Sequence, residues 1–222
     1  GTTTYRPPFI PVSIAAMGAG GRGEGFAPQR LLTSDAKTRA MKAPMIEAGL
    51  WYRPSYFPRA GETTWREAAD REVMTVREHV GVCDVSTLGK IDVQGPDAAR
   101  FLDFVYTNTM SSLKPGRVRY GLMLREDGMV MDDGTCARIS DEHFVVTTTT
   151  SGAGQVMRHM DFVHQAFCAT WDVRMISVTE AWAQFAIAGP KAKAVLASLG
   201  EMPTLPFMGC AEVTIGGVKG RL

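Results

Sequence analysis

The 222 residues carry 24 Lys and Arg against 23 Asp and Glu, a balance that supplies no bulk electrostatic pull toward nucleic acid or an anionic membrane. The 45% hydrophobic content suits globular material, and the longest apolar runs, such as FIPVSIAAM, fall well short of the roughly 20 residues a membrane helix needs. The start, GTTTYRPPF, has no charged segment leading into an apolar core, as a secretion signal would. The scattered Cys83, Cys136, Cys168 and Cys210 lack C-x-x-C spacing, which fits buried, reduced, structural thiols of a cytoplasmic protein better than disulfides or a zinc site.

Residues 1–61 are rich in Pro, Gly and Arg and hold no sustained period, so they read as an extended arm or inter-domain linker with short strand-like pieces. Within them GAGGRG, Gly18 to Gly23, matches G-x-G-x-x-G. The following EGFAPQRLL contains Pro28 and no helical pattern, so it offers no helix N-terminus to a pyrophosphate and reads as a loop. WYRPSYFPRAGE brings together Trp51, Tyr52, Tyr56 and Phe57, aromatics suited to packing on a core or an interface.

From Thr63 the spacing of Trp65, Ala68, Val73, Met74 and Val76 predicts a helix through TTWREAADREVMTVREHV, stopped by Gly81. CDVSTLGKIDVQG reads as one strand, and GPDAARFLDFVYTN as a short helix with Pro96 in its first turn. RVRYGLMLRE and GMVMDDGTCARI flank Asp127-Gly128, a hairpin signal, and HFVVTTTT is a third, β-branched strand. SGAGQVMRHMDFVHQAF reads as a helix capped by Ser151, with Val156, Met160, Phe162 and Val163 available for burial. TWDVRMISVTEAWAQFAIAG supplies two strands, KAKAVLASLG a helix and CAEVTIGG a last strand. Hairpins mixed with separate helices imply an α+β fold of mainly antiparallel sheets with flanking helices. The chain stops at VKGRL in mid-pattern, as an interior piece of a longer subunit would.

His79, His143, His159 and His164 are dispersed without a nucleophile motif and read as surface or packing side chains. The hairpin is the chemically interesting feature, because Asp132 and Asp133 are adjacent in a strand. Successive residues face opposite sides of a sheet, so in a covered sheet at least one carboxylate is desolvated. No metal-ligand cluster accompanies the pair.

The ordered motifs in GVCDVSTLGKIDVQGPDAARFLDFVYTNTMSSLKPGRVRYGLMLREDGMVMDD resemble the aminomethyltransferase (glycine-cleavage T-protein) folate-binding family, and SVTEAWAQFAIAGPKA resembles its second G-P segment. Within that family the YRPPFIPVSI arm, YFPRAGE and TTTT are similar to α subunits of heterotetrameric sarcosine oxidases. The resemblance implies a truncated aminomethyltransferase folate-binding fold over residues 62–222. It also implies tetrahydrofolate as the ligand, methylenetetrahydrofolate and glycine as products, and a β subunit and other subunits as partners. FAD, FMN and NAD would belong to the full complex and not to this piece. The alternatives are a stand-alone aminomethyltransferase or demethylase, and a non-catalytic assembly module.

The resemblance further implies Asp132 as the reacting carboxylate, with Tyr120, Leu88, Thr147 and Thr148 lining the folate pocket. A two-residue turn at Asp127-Gly128 pairs Met123 with Asp132 and Tyr120 with Thr135, placing Tyr120 on the face of Asp133. Either a bulge shifts the register or Asp133 is the inward carboxylate.

Overall fold

The structure, a computed structural model, describes residues 30–48 and 50–222. The GAGGRG loop and the YRPPFIPVSI arm lie outside the described residues. The chain divides into two compact units, residues 1–72 and 73–222.

In the first unit β1 (Arg30–Leu31) runs parallel to β3 (Trp51–Pro54), which pairs antiparallel with β2 (Met45–Ala48). The short helix α1 (Asp35–Ala40) joins β1 to β2. Trp51 is buried beneath the Arg30 guanidinium, 5.8 Å from its ring centroid, and the Tyr52 hydroxyl donates to Glu47 at 2.9 Å. Two of the four clustered aromatics are thus engaged within their own unit.

Helix α2 spans Trp65–Glu78, and the division between units falls inside it. Its start is a reciprocal cap, with Thr63 and Thr64 N–H donating to the Glu67 carboxylate at 2.7 and 3.0 Å and Glu67 N–H donating to Thr64 Oγ1 at 3.3 Å. These T-x-x-E bonds satisfy N–H groups that a helix start leaves without partners. Of its predicted apolar stripe Ala68 is buried, whereas Trp65, Val73 and Met74 are exposed.

The second unit is built on a five-stranded antiparallel sheet ordered β6-β7-β8-β5-β9. These strands are β5 (Gly89–Gln94), β6 (Arg117–Leu124), β7 (Val130–Ser140), β8 (His143–Thr148) and β9 (Arg174–Ser177). Helices α3 (Ala98–Val105) and α4 (Ala153–Phe167) pack on one face of it. Between them and the sheet lies a core of Ile91, Val93, Phe101, Leu102, Met123, Phe144, Val146, Val156 and Met160. Burying each such large side chain contributes about 1.5–3 kcal/mol, enough to fix which face of every strand turns inward. Phe162, read as part of the buried stripe of α4, is 57% exposed instead; its ring meets Phe167 edge-on, 5.9 Å between centroids.

CDVSTLGKIDVQG is not one strand. It splits into β4 (Gly81–Asp84), which pairs with β10 (Phe185–Ala188), and β5 in the large sheet. Asp84 Oδ1 accepts from Ser86 N–H at 3.0 Å and Leu88 N–H reaches Val85 O at 3.0 Å, so a side-chain-supported turn breaks the strand. Gly89 restarts it where a Cβ would collide with Thr148 Oγ1 and lie 2.7 Å from the Ala153 Cβ. A short helix α5 (Ala192–Ala197) follows β10, and VKGRL continues as β12 (Val218–Arg221), hairpinned with β11 (Glu212–Ile215). The result is α+β with mainly antiparallel sheets. Cys136 and Cys168 are buried as expected, but Cys83 on β4 is exposed.

Candidate functional site

The paired carboxylates take their places from the β6–β7 hairpin. Gly128 N–H donates to Arg125 O and Arg125 N–H to Met129 O, both at 2.9 Å, and Gly128 sits at φ +79°. The loop is therefore the three-residue type that needs a left-handed glycine at its third position. Leu124 opposes Val130, the register shifts at once, and Met123 then opposes Asp132 while Tyr120 opposes Thr135. An extra loop residue and an extra strand residue offset each other, so the pairs expected from a two-residue turn are the pairs found.

Asp132 lies opposite Met123, on the helix-covered face that Cys136 also shares, with only 7% of its surface exposed. Both its oxygens are taken by Thr149, whose Oγ1–H donates at 2.6 Å and whose N–H donates at 3.1 Å. Thr149 Oγ1 in turn accepts Gly152 N–H at 3.1 Å at the start of α4. The expected Ser151 cap is not made: Gly152 is the cap position, and Thr149 serves it from three residues back.

Asp133 points to the opposite face, where Tyr120 is 50% exposed and Leu122 and Ile176 also stand open. The Tyr120 hydroxyl donates to Asp133 Oδ2. That bond, with partial desolvation and the nearby negative charges, raises the phenol pKa above its ordinary value, so Tyr120 remains a proton donor to the carboxylate.

Tyr120 begins a row that crosses four strands. Thr135 opposes it on β7, and Thr135 N–H and Oγ1 both lie 2.8 Å from Thr147 Oγ1 on β8. Thr147 opposes Lys90 on β5. Lys90 is 5% exposed, and its ammonium donates to Ser86 O and Leu88 O, each at 3.0 Å. Burial lowers its pKa, opposed by the charge of Asp84. Leu88, half-buried, is thus held at the edge of the face that carries Asp133.

The structure brings Tyr120, Asp133 and Thr147 to one face, with Leu88 at its margin. Asp132 and Thr148 go to the other; Thr148 is buried opposite Gly89. Residues that sequence reasoning did not single out are Lys90, Thr135 and Thr149, and the pair Thr107-Asn108 entered it only within the ordered motifs, with no role assigned. Leu122 N–H donates to Asn108 Oδ1 at 3.0 Å and Leu122 O accepts Thr107 N–H at 2.9 Å, so this Thr-Asn pair braces β6 directly across from Asp133.

Two of the four histidines have packing partners, while His79 is exposed. His164 Nε2 lies 3.0 Å from Trp171 O and its ring meets Phe101 edge-on, and His143 Nε2 lies 2.8 Å from Asp92 Oδ1. Among the described residues no three His, Cys, Asp or Glu side chains are grouped to hold a metal, and no helix is long and apolar enough to cross a membrane. A cleft of about 710 Å³ lined by Trp182, Met202, Lys219 and Arg221 shares no residue with the carboxylate face.

Residues 35–222 match the GCVT N-terminal domain family. The chain belongs to this family. It is similar to sarcosine oxidase subunit alpha of Rhizobium meliloti (strain 1021), 47% identical over 221 residues, which are 98% of this chain and 22% of that protein. An aminomethyltransferase of Streptomyces coelicolor is 31% identical over 187 residues, 83% of this chain and 46% of that one. Among solved structures, the glycine cleavage system aminomethyltransferase T of Bartonella henselae superimposes with a TM-score of 0.71 at 24% identity, covering 82% of this chain and 46% of that one. This GCVT N-terminal domain therefore shares the aminomethyltransferase fold, and the chain spans about a fifth of the length of its sarcosine oxidase relative.

Proposed function

We propose that the exposed face around Asp133 and Tyr120 binds tetrahydrofolate, and that the chain forms the one-carbon-accepting part of a sarcosine oxidase α-type subunit. One observation carries the reading. Of the two adjacent carboxylates, Asp133 alone combines an uncovered sheet face with a phenol donor, Tyr120. The site residues fit a reduced pteridine: an exposed aromatic ring and Leu122 suit a flat heterocycle, and a carboxylate accepts from ring N–H groups. Likeness to a sarcosine oxidase α subunit over 98% of the chain favours that enzyme over a stand-alone aminomethyltransferase.

In this reading Asp133, rather than Asp132, faces the reacting nitrogen. Asp132 has both oxygens bonded to Thr149 and turns toward the helices, so it has no path to the open face without breaking the strand alternation. Oxidation of sarcosine, on a flavin outside this chain and with a β subunit as partner, supplies an iminium. A folate nitrogen attacks the iminium carbon, and Asp133 takes the proton from that nitrogen as the C–N bond forms. Closure by the second folate nitrogen breaks the bond to the amine. Glycine leaves, and the two protons lost by folate end on its amino group. The negative Asp133 also stabilises the cationic electrophile beside it.

Tetrahydrofolate binding to the full enzyme complex, measured by calorimetry, tests the placement. Asp133→Ala and Tyr120→Phe are expected to weaken binding, the first by about tenfold or more, as loss of a charge-assisted contact implies. Wild-type affinity in Asp133→Ala refutes the site.

A further inference from the structure

Asp132 is the other half of the pair, and its surroundings assign it a different task. Its two oxygens hold the Thr149 N–H and hydroxyl, at 3.1 and 2.6 Å. Helix α4 starts against it so closely that a Cβ on Gly152 would lie 2.7 Å from Asp132 Oδ1. A buried carboxylate at the first turn of a 15-residue helix also favours the helix dipole. The corner it grips, Thr149 to Gly152, has two further fastenings. Thr150 Oγ1 lies 2.8 Å from Thr87 Oγ1 in the turn before β5, the turn whose Leu88 carbonyl is held by Lys90. Thr147, two residues before Thr149, bonds Thr135 on the open face. The corner therefore joins the strand that flanks Asp133 to the loop that carries Leu88.

We propose that Asp132 is a positioning residue for folate, acting through Thr149. Its carboxylate locks the β8–α4 corner so that Thr147 and the Ser86–Leu88 loop keep their places around the Asp133 face. The inference rests on the folate reading given above. The four threonines then have separate tasks: Thr147 faces the site, Thr148 packs in the core, Thr149 answers Asp132 and Thr150 ties down the Leu88 loop.

The test uses the full enzyme complex with Asp132→Asn, Thr149→Val, Thr149→Ser and the Asp132→Asn/Thr149→Val double variant. Sarcosine oxidation and methylenetetrahydrofolate formation are followed separately. Positioning predicts that Thr149→Val, which removes one hydroxyl at constant shape, raises the KM for tetrahydrofolate about tenfold while kcat for transfer stays within about twofold, the size of one charge-assisted hydrogen bond. Asp132→Asn behaves likewise, the double variant is no worse than the more affected single one, and Thr149→Ser restores wild-type values. If Asp132→Asn collapses kcat while Thr149→Val is wild type, Asp132 acts on the reacting atoms and the proposal is overturned. Wild-type KM in Thr149→Val overturns it as well, even should Asp132→Asn fail to fold. A wild-type complex that makes no methylenetetrahydrofolate instead refutes the folate reading itself.

Discussion

Gly134 follows the two carboxylates and, in sequence, looks like a turn residue. It sits in the middle of β7 opposite Gly121, where strand β8 approaches it closely. A Cβ there would lie 2.8 Å from the Thr147 carbonyl carbon and nearer still to its oxygen. Ordinary carbon contacts are about 3.5–4.0 Å, so Gly134→Ala falls roughly 1 Å short. The obstacle is backbone, which no rotamer change relieves, so β7 and β8 must separate where Thr135 N–H and Oγ1 both bond Thr147 Oγ1 at 2.8 Å. Overpacking of about 1–3 kcal/mol, with two hydrogen bonds worth about 1 kcal/mol each, gives about 3–5 kcal/mol. At roughly 2–4 °C per kcal/mol for a chain of this size, the melting temperature should fall by about 6–20 °C. Calorimetry of wild type and Gly134→Ala reads this directly. A melting temperature unchanged within a degree or so refutes the close β7–β8 approach and, with it, the placement of Thr147 beside Asp133.

Other consequences are open to simpler measurements. Because burial lowers the Lys90 pKa, the unfolded chain binds that proton more readily between the two pKa values, and stability gains from Lys90 as pH rises through that interval. Relative to Lys90→Met, wild type should therefore gain stability on approaching the alkaline lysine range, and a pH-independent difference in urea unfolding contradicts this. Burial pushes the Cys136 thiol up to about 12 and also raises Cys168. A thiol reagent at neutral pH should accordingly modify exposed Cys83 first and reach Cys136 and Cys168 only on unfolding; mass spectrometry showing early labelling of Cys136 would contradict the burial. Because the Asp133 hydrogen bond raises the Tyr120 phenol, Tyr120→Phe should remove one late-titrating phenol from the alkaline ultraviolet titration and leave the melting temperature close to wild type, since the side chain is half exposed; a titration curve identical to wild type would contradict the Tyr120–Asp133 bond.

Local patterns made much of this legible. Apolar period identified α3 and α4, although their starts fall later than expected, with Pro96 ahead of the Asp97 cap position and Ser151 ahead of Gly152. Asp127-Gly128 located the hairpin and even its register, although the loop is longer and a bulge restores the count. The alternation rule required one buried carboxylate, and Asp132 is that one. What escaped was set by distant partners. The β4–β5 break depends on β10, about a hundred residues away, since Cys83 opposes Ala186, and alternation alone carries straight through the turn. Phe162 fits the helical stripe of α4 yet stands outside the core. TTTT reads as uniform β-branched strand, whereas the strand ends at Thr148 and the next two hydroxyls turn to Asp132 and Thr87. Lys90 carries no sequence signal at all, because its partners are backbone carbonyls.

The central claim is that Asp133 takes the proton at the one-carbon transfer step. The direct measurement is methylenetetrahydrofolate formed per sarcosine oxidised by the full complex carrying Asp133→Asn. The near-isosteric amide keeps the strand pairing but cannot accept the proton as a base, so the ratio should fall by about 10²-fold or more while sarcosine oxidation continues at the wild-type rate. A ratio equal to wild type would contradict the account.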